Sequence, residues 1–125
     1  METAEKEAAD GVRESLIDIA IESWRFAKLF GRVLGKLDAG EAPRYASQLR
    51  YFLKKLDDNL DTAGLKLVSL EGQIYDSGMA ASPLNIADFG PDDHLVVEQM
   101  IEPILMGPHG LVKAGTIMLE KVEPL

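Results

Sequence analysis

Apolar residues follow two different periods along the chain, and the change falls near Glu71. Before it they recur every three or four residues through two long segments, as in helices; after it, short apolar runs alternate with Gly, Pro and Asp, as in strands and turns. We therefore predict an α+β fold, with a long helical hairpin over 11–70 that forms a dimerising bundle and a small β-rich head domain over 71–125. Residues 1–10, acidic and rich in Ala, are expected to be a flexible end.

The first predicted helix has more apolar surface than one neighbour can cover. One continuous stripe consists of Leu16, Ala20, Trp24, Ala27, Phe30, Leu34 and Leu37. It is widened by Ile17, Ile19, Ile21, Phe26, Leu29 and Val33. Such a helix needs partners on more than one side, which we expect to be a second helix of the same chain and a helix of another subunit.

The second predicted helix follows a short break. In the break, Gly40 suits a left-handed helix end and Pro43 suits the first turn of the next helix. The stripe that follows has heptad-like spacing over roughly three heptads, which favours coiled-coil packing between antiparallel neighbours. We assign the helix packing and dimer contacts to Leu16, Trp24, Phe30, Leu34, Leu49, Leu53, Leu56 and Leu60.

The head is predicted to consist of short strands joined by turns. Strands are expected over Gly72–Tyr75, His94–Pro103 and Leu111–Val122, with a hairpin turn at Gly107–Gly110. Pro103 should interrupt its strand or confine it to a sheet edge, because it supplies no ladder donor. The secondary structure of two segments is not decided by the pattern: 65–70 either continues the helix or begins a strand, and 79–83 is either a loop or a helical turn.

Composition and charge narrow the function classes. A net charge of -8 argues against nucleic acid as a partner, since a phosphate-binding surface needs clustered Lys and Arg. The chain has no Cys, and its apolar runs are too short to span a membrane, so we expect a cytoplasmic protein.

Two clusters of ionisable residues were considered as sites. Asp92, Asp93 and His94 are contiguous in sequence, and contiguous residues rarely converge on one metal ion. Asp57, Asp58 and Asp61 lie on a face expected to be exposed, which lacks the burial that raises the pKa of a general acid. We therefore expect no catalytic site, metal or cofactor.

The C-terminal half resembles the β-domain of the GrpE family. The resemblance is carried, in order, by the segments "GQIYD", "MAASPLN", "PDDHLVVEQMIEP", "MGPHG" and "LVKAGTIMLEKV". It covers roughly the last 50 residues, while the helices match in general character. It implies a homodimeric co-chaperone that contacts the nucleotide-binding domain of a DnaK-type ATPase and promotes ADP release.

The resemblance also suggests which residues contact the partner. Lys113 falls where the family usually has a basic residue, and the residues expected to contact the ATPase are Gln99, His109, Lys113 and Leu119. Ser77 follows Asp76 where the family commonly has Pro, and 79–81 lacks the family's His. A structural interpretation stands beside each assignment: Leu119 as core, Lys113 as an ordinary strand lysine and His109 as a turn residue.

Two other functions are compatible with the sequence. The first is a non-catalytic dimeric adaptor that uses the same head for a different protein. The second is a small-ligand protein or enzyme whose helical bundle forms a pocket lined by Trp24, Phe26 and Tyr45.

Overall fold

The computed structural model describes residues 2–123 as two helices followed by six short strands. The elements are α1 (Glu2–Leu34), α2 (Ala42–Thr62), β1 (Lys66–Val68), β2 (Ala81–Pro83), β3 (Leu95–Glu102), β4 (Ile104–Gly107), β5 (Gly110–Lys113) and β6 (Gly115–Lys121), with one 3₁₀ turn at Ile86–Asp88. The α+β class and the order of helices before strands are confirmed. Contacts divide the chain into two compact units, a helical unit up to Asn59 and a β unit from Leu60 onward.

Helix α1 begins earlier than the apolar pattern indicates. The segment expected as a flexible end is helical from Glu2, with the acidic Glu2 and Glu5 in the first turn, where a carboxylate complements the helix dipole. Periodicity could not show this, because residues 2–10 contain few apolar positions to repeat. Neither α1 nor α2 has a stretch apolar and long enough to cross a bilayer.

The connection between the helices is organised by Asp38. Its Oδ1 accepts hydrogen bonds from the backbone N–H groups of Gly40 and Glu41, each at 2.9 Å, so that it covers donors ahead of α2. Pro43 is the second residue of α2, as expected for the first helical turn. The prediction of a left-handed conformation at Gly40 is wrong. Among the described residues, positive φ occurs at Gly64, Gly72 and Gly110, and α1 already ends at Leu34, six residues before Gly40.

Helix α2 ends in a Schellman motif that leads into the β unit. Leu65 N–H donates to Leu60 O at 2.8 Å and Gly64 N–H donates to Asp61 O at 2.9 Å, with Gly64 at φ 76°. Leu60 and Leu65 occupy the two positions whose apolar side chains commonly meet in this motif, and both are buried. The segment after Gly64 is therefore strand β1, which settles the alternatives left open at 65–70.

The β unit contains two three-stranded sheets. The first has the order β1-β4-β5 and is antiparallel; the second has the order β2-β6-β3, with β2 parallel and β3 antiparallel to the central β6. The buried side chains of the unit come from both sheets and from the end of α2: Leu60, Leu65, Val97, Met100, Ile104, Leu105, Ile117 and Leu119. Strand β3 ends at Glu102, and the buried Pro103 separates it from β4, which confirms the predicted interruption.

The single strand predicted over Leu111–Val122 is wrong. The segment is divided into β5 and β6, which belong to different sheets. The crossing occurs at Gly115, where a Cβ would lie 2.8 Å from the carbonyl oxygen of Glu102 and 3.0 Å from Ile104 Cγ1. Alternating residues on both sides of this glycine hide the break, because each half has a regular period of two.

Two other segments differ from the sequence prediction. Part of the segment expected to be a loop or helical turn over 79–83 is strand β2, whose partner β6 lies far along the chain and gives no local signal. The segment 72–75, predicted as a strand, instead follows the edge of β3 through hydrogen bonds such as Gly72 N–H to Val97 O at 2.8 Å, with one bridge between Ile74 and Val96.

Candidate docking face of the β unit

The sheet β2-β6-β3 has one side turned away from the core. Successive strand residues alternate between the two sides, and the buried side consists of Val97, Met100, Ile117 and Leu119. The pairs on the other side are Val96 with Glu120, Gln99 with Met118, and Glu102 with Thr116. These residues are half-buried or, for Glu120, exposed, so this side of the sheet is accessible.

The segment after β2 extends this side of the sheet beyond the strand itself. Leu84 N–H donates to Ile117 O at 2.9 Å, as a further residue of β2 would. One residue further along, the Asn85 side chain bonds to β6 where the backbone of a longer β2 would. Asn85 Nδ2 donates to Leu119 O and Leu119 N–H donates to Asn85 Oδ1, both at 2.9 Å. With Asn85 held in this way, Leu84 is 63% exposed and Ile86 is 45% exposed.

The opposite edge of the sheet contributes a third exposed aliphatic residue. Ile74 forms an antiparallel bridge with Val96 and is 81% exposed. Its neighbour Tyr75 donates its N–H to Leu95 O at 2.9 Å, which fixes the segment along β3. We define the open face as Ile74, Leu84, Ile86, Val96, Gln99, Glu102, Thr116, Met118 and Glu120.

The polar residues of the open face are acidic or neutral. Thr116 Oγ1 donates to Glu102 Oε1 at 2.9 Å, which orients that carboxylate, and Glu120 is exposed. The surrounding unit has the same sign: from Leu60 onward the sequence contains ten Asp or Glu and three Lys, a formal charge of -7. Up to Asn59 it contains eleven acidic and ten basic residues, a formal charge of -1. Almost all of the protein's net charge therefore resides on the β unit.

One ion pair lies at the end of the same sheet. Asp93 Oδ2 accepts the Gly90 N–H at 2.8 Å, and Asp93 Oδ1 is 3.3 Å from Lys121 Nζ. The hydrogen bond from Gly90 and, after it, the bond to Lys121 hold the pKa of Asp93 below its ordinary value. The charge of Lys121 is thus paired within the β unit.

The structure separates the four residues expected to contact a partner. Gln99 lies on the open face beside Met118. His109 and Lys113 belong to the other sheet: His109 is exposed in the turn between β4 and β5, and Lys113 is exposed at the end of the edge strand β5. Leu119 is 2% exposed, so its side chain packs in the core and is not available to a partner.

Sequence reasoning missed the aliphatic members of the open face. Ile74 was placed in a short strand without a function, and Leu84 and Ile86 fell outside every predicted element. Leu84 and Ile86 could have been recognised from the sequence that follows Pro83, in which Asn85 has one aliphatic residue on each side. An Asn that pairs with a strand backbone would expose both neighbours to solvent.

The helical unit has its own exposed apolar row on α1. Val12, Ile19, Phe26 and Val33 are spaced by seven residues and Leu29 lies between the last two, with exposed fractions from 45% to 71%. We call these five residues the α1 seam. The assigned packing residues Leu16, Trp24, Phe30, Leu34, Leu49, Leu53 and Leu56 are half-buried instead, and Leu60 is buried within the β unit.

A shallow apolar cleft lies between the two helices. It is lined by Phe26, Ala27, Phe30, Gln48, Leu49 and Phe52. Of the three aromatic residues considered for a small-ligand pocket, Phe26 lines this cleft and Trp24 and Tyr45 do not. Within residues 2–123, no group of three or more His, Asp or Glu side chains is placed so that it could hold a metal ion.

Comparisons with protein-family models, with curated proteins and with solved structures give no match to this chain.

Proposed function

We propose that this protein is a GrpE-like, homodimeric co-chaperone that binds the nucleotide-binding domain of a DnaK-type ATPase and promotes the release of ADP. The helical unit supplies the dimer contact, and the β unit supplies the surface for the ATPase. The protein acts by binding and has no catalytic role of its own.

The observation that carries this proposal is the way in which the family-like segments coincide with elements of one β unit. "GQIYD" follows the edge of β3, "MAASPLN" contains β2, and "PDDHLVVEQMIEP" contains β3. "MGPHG" is the β4–β5 turn, and "LVKAGTIMLEKV" contains most of β5 and all of β6. The five segments that carry the resemblance therefore belong to a single folded unit, which follows two helices along the chain.

The exposed α1 seam supports the homodimer. Apolar residues repeated every seven positions on a helix surface are typical of helix–helix contacts in coiled coils and bundles. A second copy of the chain offers a matching row, since both copies have the same sequence.

Exchange by such a protein is a shift in a conformational equilibrium. The ATPase cleft opens and closes, and a ligand that binds the open state more tightly than the closed state increases the open population by the ratio of the two affinities. ADP leaves faster because the open cleft is populated more often. The co-chaperone needs only a rigid surface that fits one state better.

The direct test is the rate of ADP release from a purified DnaK-type chaperone loaded with a fluorescent ADP analogue. We expect the rate to rise with added protein and to saturate at the concentration where the two proteins bind. Binding without acceleration would contradict exchange and favour the adaptor function. Absence of binding to DnaK-type chaperones would contradict the proposal.

The adaptor function is the second candidate. It is favoured by the departures from the family pattern at Ser77 and at 79–81, which lie in the chain before β2 and at its first residue. An adaptor would keep the dimer and the β unit but bind a protein that is not an ATPase.

A further inference from the structure

We infer that the open face is the surface by which the β unit binds its partner, and that the partner presents an apolar depression bordered by Lys or Arg. This inference rests on the proposed function, because it takes the nucleotide-binding domain of the DnaK-type ATPase as that partner. It differs from the sequence assignment, because two of the four residues assigned there, His109 and Lys113, belong to the other sheet in the structure.

The open face has exposed aliphatic side chains on both sides of its central strand. Ile74, Leu84 and Ile86 are exposed by 81%, 63% and 45%; Ile74 pairs with the half-buried Val96, and the half-buried Met118 lies on the central strand β6. Protein contact sites have an apolar centre whose side chains become buried in the complex, and a few such residues contribute most of the affinity. The other sheet offers Leu111 as its exposed large aliphatic residue among those described.

The segments that carry these exposed side chains are already attached to the sheet by hydrogen bonds. Asn85 joins the backbone of Leu119 through two 2.9 Å hydrogen bonds, so its neighbours Leu84 and Ile86 are fixed to the central strand. At the opposite edge Ile74 is held by the bridge to Val96. A surface ordered in the free protein loses less conformational entropy on binding, which leaves more of the contact energy as affinity.

The negative charge of the open face determines which partner surface it attracts. The ionisable residues of the open face are Glu102 and Glu120, and they belong to a unit with a formal charge of -7. Lys121, the basic residue next to Glu120, is paired with Asp93. A basic border on the partner would be attracted to this face and would be guided toward it, whereas an acidic border would be repelled.

The test compares three variants for binding to the purified nucleotide-binding domain of a DnaK-type chaperone by titration calorimetry. Leu84→Ser combined with Ile74→Ser should weaken binding at least tenfold, and Glu120→Lys should weaken it with a smaller salt dependence than the parent. Leu111→Ser removes an exposed aliphatic side chain of equal size from the other sheet and should leave the affinity within twofold. Circular dichroism melting of each variant confirms that it is folded.

The outcomes separate this inference from the proposed function. If the parent protein binds and accelerates ADP release but the Leu84→Ser, Ile74→Ser variant does so equally well, the proposed function stands and the open face is not the contact. If Leu111→Ser causes the loss instead, the contact lies on the β1-β4-β5 sheet. A change in the mass of the Leu84→Ser, Ile74→Ser variant in solution would show that a second copy covers the face. Failure of the parent to bind overturns both.

Discussion

At the scale of single residues, the Asn85 side chain supplies the two hydrogen bonds that a longer strand β2 would have made to β6. Strand β2 stops at Pro83, yet β6 continues to Lys121, so the N–H and C=O of Leu119 on that side would have no backbone partner. The Asn85 amide supplies one donor and one acceptor to them. An amide is the side chain suited to this role, because a carboxylate could only accept and a hydroxyl could not reach both groups.

Asn85→Ala should therefore destabilise the protein by about 1–3 kcal/mol, since it leaves two partly buried backbone groups of Leu119 without their partner. The measurement is urea unfolding followed by circular dichroism. Asn59→Ala is the matched control, because the Asn59 amide donates one exposed hydrogen bond to Lys55 O, and its loss should change the stability by less than about 0.5 kcal/mol. Equal effects of the two substitutions would contradict the role given to Asn85.

A second prediction at this scale follows from the lowered pKa of Asp93. The hydrogen bond from Gly90, followed by that from Lys121, favours the carboxylate in the folded state over the unfolded state. Its contribution to stability is therefore present above the ordinary pKa of 3.8 and is lost as the pH falls through the lower folded value. Asp93→Asn should lower the urea midpoint near neutral pH and have less effect in acid below that range.

The control for this pH dependence is Asp92→Asn, at the exposed position before it in the chain. Its urea midpoint should follow that of the parent protein across the whole pH range. A difference between parent and Asp93→Asn that stays constant from neutral pH into strong acid would show that the carboxylate charge is not the cause.

At the scale of elements, two glycines decide where the chain changes direction. Gly115 marks the crossing from β5 to β6, and an added methyl group would lie 2.8 Å from Glu102 O, closer than such atoms approach. Gly115→Ala should destabilise the protein by about 1–3 kcal/mol in urea unfolding, because backbone must shift to admit the methyl group. Gly31→Ala, in α1, meets Leu49 Cδ2 at an ordinary 3.8 Å and should leave the stability unchanged or raise it.

The other glycine, Gly64, ends α2 with φ at 76° and has Pro108 Cγ 3.1 Å from the position of a Cβ. Ala at this position has to adopt a left-handed conformation, which costs about 1–2 kcal/mol. Gly64→Ala should therefore lower the midpoint of thermal unfolding relative to the parent protein. The same Gly31→Ala variant is the comparison, and an undiminished midpoint for Gly64→Ala would contradict the strain inferred from φ.

The elements also show what the sequence could and could not predict. The helices, Pro43 in the first turn of α2, the interruption at Pro103 and the turn at Gly107–Gly110 each have a local signal in periodicity or residue type, and they were predicted. Strand β2 and the division at Gly115 depend on contacts between distant segments, which leave no local period. The open face was missed for the same reason: Ile74 and Leu84 belong to one face only because each lies along an opposite edge of the sheet built on β6.

At the scale of the whole molecule, charge and apolar surface are divided between the two units. The β unit has a formal charge of -7 and the helical unit -1. Two helical units therefore can associate without a large electrostatic cost, whereas two β units repel each other. This division is suited to a dimer formed through the helices, with β units free to bind a basic partner surface.

The α1 seam should hold that dimer together. Val12 and Ile19 belong to it, are 71% and 63% exposed and lie outside the cleft between the helices, so replacing both with Glu should leave the helix folded but put like charges into the contact with the second copy. In sedimentation equilibrium the parent protein should have twice the 13.7 kDa mass of one chain, and the double variant should have the mass of one chain. Tyr51→Glu, at a residue of α2 that is 62% exposed, is the matched control and should remain a dimer. A parent protein that sediments as a single chain, or a control that dissociates as readily as the double variant, would show that the seam is not the dimer contact.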